Sequence, residues 1–269
     1  VSDVSKQPPT DGPPPQRWIE LEGVVNMRDS GGLPTHDGGM IQPHRLLRSD
    51  NLQDLSETDI RQFVEVLGVS DIVDLRSDTE VRTEGPGPLW QVESLTHHHH
   101  SLVSDDREFN PREALALQES SDRPTRDAEF WTTHYLGYLA ARPDSISAAL
   151  EVVSRSSGGT VIHCAAGKDR TGTVVALALD AAGVPHEAIV EDYALSAERI
   201  ERIIARLLPR DLYGVALRRQ SVDEQRPRPE TMQTILATVQ SEFGGATGWL
   251  REQGWSSEDV TRLRERLTS

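Results

Sequence analysis

The stretch Thr160-Val161-Ile162-His163-Cys164-Ala165-Ala166-Gly167-Lys168-Asp169-Arg170-Thr171-Gly172 decides how the rest of the chain is read. β-Prone residues run into the only cysteine of the protein, a short loop follows, and an apolar helical run extends from Thr173 to Ala182. The order is strand, phosphate-sized loop, helix. The backbone N–H groups of such a loop turn inward as an anion-binding nest, and the helix N-terminus adds partial positive charge. A thiol at the strand end lies in that field, so Cys164 is expected to titrate below the usual value of about 8.5 and to act as a nucleophile. Arg170 brings a planar fork that grips two phosphoryl oxygens at once, which a lysine cannot do.

Outward from this stretch, the pattern repeats helix then strand. Ser56-Glu57-Thr58-Asp59 has the form of a helix start, with Ser56 as N-cap and an acidic residue three positions on. That helix runs to Gly68, a natural C-cap, and leads into a strand over 69–75. A second helix, over 143–156, carries Ile146, Ala149, Leu150 and Val153 at helical spacing and leads into the central strand 160–164. This alternation predicts an α/β fold with a mostly parallel central sheet flanked by helices. Upstream, Trp18–Leu21 and Val24–Val25 read as strand, Asn26–Gly32 as a glycine turn, and His44–Ser49 as another short strand. Residues 126–141 form a helix with a broad aromatic face that includes Trp131, Tyr135 and Tyr138. The segment from Leu208 to Pro229 reads as irregular and Arg-rich, either a solvated connection or a cover over the active site. Helical periodicity resumes at Pro229 and continues through two short C-terminal helices. Residues 1–16, rich in proline and poor in apolar residues, are expected to be a disordered tail, leaving 17–269 as one domain.

His-Cys-x5-Arg-Thr resembles the signature of the cysteine-dependent phosphatases. The inner residues Ala-Ala-Gly-Lys-Asp-Arg-Thr-Gly are similar to those of the bacterial tyrosine phosphatases of the mycobacterial phosphatase B type, which also act on phosphoserine, phosphothreonine and phosphoinositides. Three further segments resemble the same family: Asn26-Met27-Arg28-Asp29-Ser30-Gly31-Gly32, Leu46-Leu47-Arg48-Ser49, and Asp74-Leu75-Arg76-Ser77 followed by Glu80. With the helical C-terminal extension, the resemblance covers about 18–269. It implies a tyrosine-phosphatase-like fold and hydrolysis of a phosphate monoester through a phosphocysteine. Cys164 would be the nucleophile, Arg170 the phosphoryl clamp, and Ala165, Ala166, Gly167, Lys168 and Thr171 the phosphate-binding loop. Thr171 would donate a hydrogen bond to the departing sulfur, and His163 would orient the loop as a supporting residue. Arg28, Asp29 and Arg48 would either line the site or form an ion-pair network beneath it.

The proton donor to the leaving group is less legible. Well-known members of the wider superfamily carry it on a Trp-Pro-Asp loop, and none of the five tryptophans here precedes proline. Asp169 leads by position beside Arg170, with Asp105 and Asp106 next and Asp74 after them. Lys168, one of two lysines beside Lys6, adds positive charge at the mouth and could reach a second phosphate.

Composition bounds the function. Hydrophobic residues make up 36 % and charged residues 26 %, ordinary for a soluble protein. The net charge of −15, from 28 basic and 43 acidic residues, argues against nucleic acid and against stable association with an anionic membrane. No apolar run spans a bilayer, no leader sequence is visible, and a lone cysteine suits a reducing, cytoplasmic setting. The run His97-His98-His99-His100 invites a metal reading, but alternate residues of a strand face opposite ways, which is poor for closing one tetrahedral site. It is read instead as strand and turn at the rim of the site, with no metal and no cofactor expected. The partner is a phosphorylated substrate, either protein or phosphoinositide. A catalytically inactive phosphate-binding module is opposed by the intact Cys164 and Arg170, and a sulfur-transfer enzyme by the Arg-Thr-Gly ending.

Overall fold

The computed structural model describes residues 17–103 and 127–269; the expectations for residues 1–16 and for Asp105 and Asp106 lie outside the described residues. Five strands form one sheet in the order β1-β2-β5-β3-β4: β1 Arg28–Asp29, β2 Leu46–Ser49, β3 Val69–Asp74, β4 Thr96–His99 and β5 Gly159–His163. β1 runs antiparallel to β2, and the other pairings are parallel, as the helix–strand alternation predicts. β5 is buried throughout, as expected of a β-branched strand with neighbours on both edges and helices on both faces.

The period-2 alternation sorts the core into two layers. Leu46, Val73 and Ile162 face one layer, where they meet helices α4 (Pro143–Arg155), α5 (Asp169–Ala182), α10 (Pro229–Phe243), α11 (Ala246–Glu252) and α12 (Ser257–Thr268). Leu47, Ile72 and Val161 face the other, against Phe63, Leu52, Leu55 and Leu89. α5 lies apolar and buried almost all round, so the loop that begins it is set in the middle of the molecule. In register, Ser49 and Asp74 both flank His163, so β2, β3 and β5 end on one line. Their following loops converge there, at the carboxyl edge where open α/β sheets bind ligands.

Several local expectations hold. Ser56 and Asp59 form a capping box at the start of α1 (Glu57–Arg61), which continues as a π-helical turn over Gln62–Val66. Gly68 adopts the left-handed conformation expected of a helix C-cap, and Gly183 does the same after α5. Two expectations need correction. The segment 18–25 contributes only a single bridge, Trp18 to Arg28, and the strand β1 falls in the stretch read as a turn. The reason is that Glu22 and Gly23 donate their N–H groups to the Asp59 carboxylate (2.9 and 2.8 Å) rather than to a neighbouring strand. The segment 208–229 is not irregular. It holds α8 (Asp211–Leu217) and α9 (Val222–Gln225), the second opened by a capping box of Ser221 and Glu224. α8 and α7 (Ile200–Leu207) pack Tyr213, Leu217, Ile203 and Leu207 around Ala165 and Ala166.

The histidine run does form a strand with a residue beyond it, at the free edge of the sheet. Three of the four rings take a polar protein partner, His97 the Leu89 carbonyl, His98 the Asp71 carboxylate and His99 the Arg76 carbonyl, and His100 stacks on His98. Among the described residues, no group of three or more metal-ligating side chains converges, and no helix is long and apolar enough to cross a membrane.

Candidate active site

The loop from Cys164 to Lys168 joins β5 to α5. Gly167 turns it with φ of 65°, and a side chain there would overlap the Ser49 carbonyl, so only glycine fits. Lys168 is the N-cap of α5 and makes no side-chain cap, so the first-turn N–H groups of that helix keep their affinity for an anion. Cys164, at the end of β5, is 1 % exposed.

Arg170 lies in the first turn of α5 with its side chain 14 % exposed. Both terminal nitrogens donate to Glu80, Nη2 to Oε1 at 2.9 Å and Nη1 to Oε2. Glu80 is held in turn by the Ser77 N–H (2.7 Å) and the Tyr213 hydroxyl (3.0 Å). Burial drives the Glu80 carboxyl upward, but Arg170 and these donors outweigh it and bring the pKa down to about 2. The carboxylate thus fixes one edge of the guanidinium and leaves the Nε edge free of acceptors among the described residues. Glu80 belongs to α2 (Asp78–Glu84), where it also completes a capping box with Ser77.

His163 is buried, and burial pushes its pKa down to about 4, so the ring is neutral at physiological pH. Its Nδ1 lies 3.4 Å from the Cys164 carbonyl, and its Nε2 is 3.8 Å from Asp74. Asp74 is gripped by Arg76 through three side-chain contacts and a backbone N–H. Burial opposes ionisation there, but His163 and Arg76 hold the carboxyl well below the usual carboxylate range. Asp74 is thereby held as the carboxylate and committed to Arg76, an arrangement that disfavours it as the general acid.

Asp169 Oδ1 accepts from the Tyr135 hydroxyl of α3 (Ala128–Ala141), which also bonds Tyr193 at 2.9 Å. Lys168 departs from the expected position at the mouth. It is 2 % exposed, its ammonium donates to the Gln225 carbonyl, lies 3.4 Å from Asp169 and sits 4.8 Å over the Trp131 ring. Thr171 is fully buried, and among the described residues its hydroxyl has no partner, so the expected bond to sulfur is not made in this conformation. Arg28 and Arg48 resolve as the ion-pair network: both reach Asp192 of α6 (His186–Ala194), and Arg48 continues to the Gly167 carbonyl. Asp29 instead caps the backbone of Gly31 and His44.

Asp192, Tyr135, Tyr213 and Asn26 were not singled out by sequence as site residues. One signal was present: Asp192 interrupts the apolar face made by Ile189, Val190 and Tyr193, where an unpaired charge would be prohibitive.

A family model described as the tyrosine phosphatase family matches residues 19–269. The triple specificity protein phosphatase PtpB of Mycobacterium tuberculosis is 29 % identical over 274 residues, covering 91 % of this chain and 97 % of its own length. A tyrosine-protein phosphatase of Nostoc commune is 29 % identical over 233 residues, covering 84 % of this chain and 75 % of its own. Among solved structures, the Siw14 catalytic core aligns with 82 % of this chain and 95 % of its own at 12 % identity, with a TM-score of 0.37. With the match running from the first core residues to the last helix, the chain belongs to the tyrosine phosphatase family and is a cysteine-dependent phosphatase.

Proposed function

We propose that residues 17–269 act as one catalytic unit that dephosphorylates proteins, chiefly at phosphotyrosine and also at phosphoserine and phosphothreonine, with Cys164 as nucleophile. The observation that carries this reading is the Arg170 guanidinium, in the first turn of the helix after the Cys164 loop, fixed on one edge by Glu80 with the other edge free of acceptors among the described residues. In the first step, the Cys164 thiolate attacks phosphorus in line and the S–P bond forms as the P–O bond to the substrate breaks. Arg170 and the N–H groups of Ala165 to Arg170 take up charge on the equatorial oxygens. Asp169 supplies the proton to the leaving oxygen: its Oδ1 is occupied by Tyr135, and Oδ2 is left to carry that proton. Water then attacks phosphorus and gives its proton to the Asp169 carboxylate, the S–P bond breaks, and phosphate and the Cys164 thiolate are released. The Thr171 hydroxyl, which has no partner among the described residues, is the donor assigned to the departing sulfur. His163, neutral and set against the Cys164 carbonyl, orients the loop rather than exchanging protons.

The phosphoinositide alternative rested on Lys168 reaching a second phosphate. The burial of its ammonium beneath Trp131 and Gln225 favours the protein substrate instead. The segment with α8 and α9 acts as a cover in this reading, because Tyr213 and Gln225 seat it on Glu80 and Lys168. Neither metal nor cofactor enters the reaction, and a cytoplasmic setting keeps the single thiol reduced.

The test is Cys164→Ser against phosphotyrosine, phosphoserine and phosphothreonine peptides and phosphoinositides. Turnover should vanish while vanadate and phosphate still bind, because the amides and Arg170 remain. Near-normal turnover would sink the covalent mechanism, and a wild-type preference for phosphoinositides over every peptide would sink the substrate assignment.

A further inference from the structure

A trans peptide sets its C=O and its N–H on opposite sides, so whatever holds the carbonyl also aims the amide. Three successive carbonyls of the loop after Cys164 are each held by a donor. Ala165 O accepts from the Asn51 N–H at 3.0 Å, Ala166 O from Asn26 Nδ2 at 2.9 Å, and Gly167 O from Arg48 Nη2 at 3.0 Å. The donors come from the β1–β2 side of the sheet, so the N–H groups of Ala166, Gly167 and Lys168 are turned away from that side. Among the described residues none of those three N–H groups has an acceptor.

The two side-chain donors are themselves locked. Asn26 Oδ1 accepts from Arg28 Nη1 at 2.9 Å, which decides that its Nδ2 and not its oxygen faces the loop. Arg48 is wholly buried and its Nη1 donates to Asp192 at 2.7 Å, while Arg28 reaches the same carboxylate. Asp192 thereby anchors both arms from a helix that comes later in the chain. Resting on the reading of Cys164 as the phosphoryl acceptor, we infer that Asn26 and Arg48 are positioning residues. They aim the loop amides at the equatorial oxygens of the phosphoryl group in flight, without touching substrate. Amides aimed in advance at the trigonal transition state stabilise it more than the tetrahedral ground state.

The test uses two variants of the full chain. Asn26→Asp keeps the shape and the acceptor for Arg28 but turns an oxygen toward the Ala166 carbonyl. Arg48→Lys keeps the charge beside Asp192, yet one ammonium cannot span both Asp192 and Gly167. Melting temperature, kcat, KM and inhibition by vanadate and by phosphate are measured together. The expected result is a loss of about 10²-fold in kcat, the cost of one mis-aimed oxyanion donor, with KM changed less than about threefold. Vanadate, which takes the trigonal geometry, should weaken at least about tenfold more than phosphate, in a variant that still melts cooperatively. A kcat and vanadate affinity within about twofold of wild type in a folded variant would overturn the inference. So would equal weakening of vanadate and phosphate in step with melting temperature, or failure of both variants to fold, since either assigns these contacts to stability alone. Cys164→Ser separates the two levels. Turnover surviving there brings down the nucleophile assignment, whereas its loss there with unaffected Asn26→Asp and Arg48→Lys brings down only the positioning.

Discussion

Replacing Glu80 by Gln removes one charge and leaves the shape of the side chain intact, so it isolates what the carboxylate does for Arg170. In the native site Glu80 accepts from both terminal nitrogens of Arg170, from the Ser77 N–H and from the Tyr213 hydroxyl. A glutamine has one acceptor oxygen, and its NH₂ must face donors on the other side. Two routes give the size of the loss. The Glu80 pKa falls from 4.5 to about 2, which at 1.36 kcal/mol per pH unit corresponds to about 3 kcal/mol. Breaking a buried ion pair by removing one partner costs roughly 3–5 kcal/mol. For a chain of this size, about 3 kcal/mol lowers the melting temperature by roughly 6–12 °C. Because the folded pKa lies below the unfolded one, the stabilisation is whole above about 4.5 and is lost as pH falls toward about 2. Urea unfolding of wild type and Glu80→Gln should therefore differ by about 3 kcal/mol at pH 7 and by about half of that near pH 3. Turnover should fall by about 10²-fold, because the free edge of Arg170 is no longer aimed. A stability gap that stays the same at both pH values would refute the electrostatic account. Wild-type turnover in a folded Glu80→Gln would refute the claim that Glu80 sets the clamp.

Asp169→Asn should slow aryl phosphates with good leaving groups little and phosphoserine by about 10²–10⁴-fold, the usual worth of general acid help; a uniform loss on all substrates would assign Asp169 to loop geometry instead. His163 is buried neutral with a pKa near 4 against 6.5 unfolded, so the unfolded chain binds the extra proton between those values. Wild-type stability should drop as pH falls from about 6.5 toward about 4, and His163→Asn should remove that component; an unchanged pH slope would show that another group is titrating. Hydrolysis should be indifferent to prolonged chelation, because thiolate and guanidinium do the work proposed here, and a loss restored by added zinc would overturn the metal-free mechanism.

The loop and the helix–strand alternation around it were legible because their signals are local. Strand, glycine turn and helix start lie within Thr160–Gly172, and each is fixed by backbone preference that one residue expresses alone. The capping box of Ser56 and Asp59 was legible for the same reason. The strand read over 18–25 was lost because Glu22 and Gly23 spend their N–H groups on Asp59, a partner more than thirty residues away that no periodicity reveals. Lys168 was read at the mouth because charge predicts exposure; the aromatic face of α3 and the Gln225 carbonyl, from two distant helices, bury it instead.

The same division runs through the site's electrostatics. A chain of net charge −15 gains nothing from its overall field in drawing an anion toward Cys164. Nor do its buried cations offer loose positive charge: Arg28 and Arg48 share Asp192, Arg76 is bound by Asp74, Arg170 by Glu80, and Lys168 lies against Asp169. Pairing each cation lets it be buried without the penalty of an isolated charge, and it freezes the direction in which the remaining donors point. In the reaction proposed above, what is left for a phosphoryl group is directional: one edge of the Arg170 fork and a row of amides whose carbonyls are already taken. Recognition built this way depends on angles more than on net charge. That is why its supports are spread over β1, β2, α2, α3 and α6 while its chemistry is written in thirteen consecutive residues.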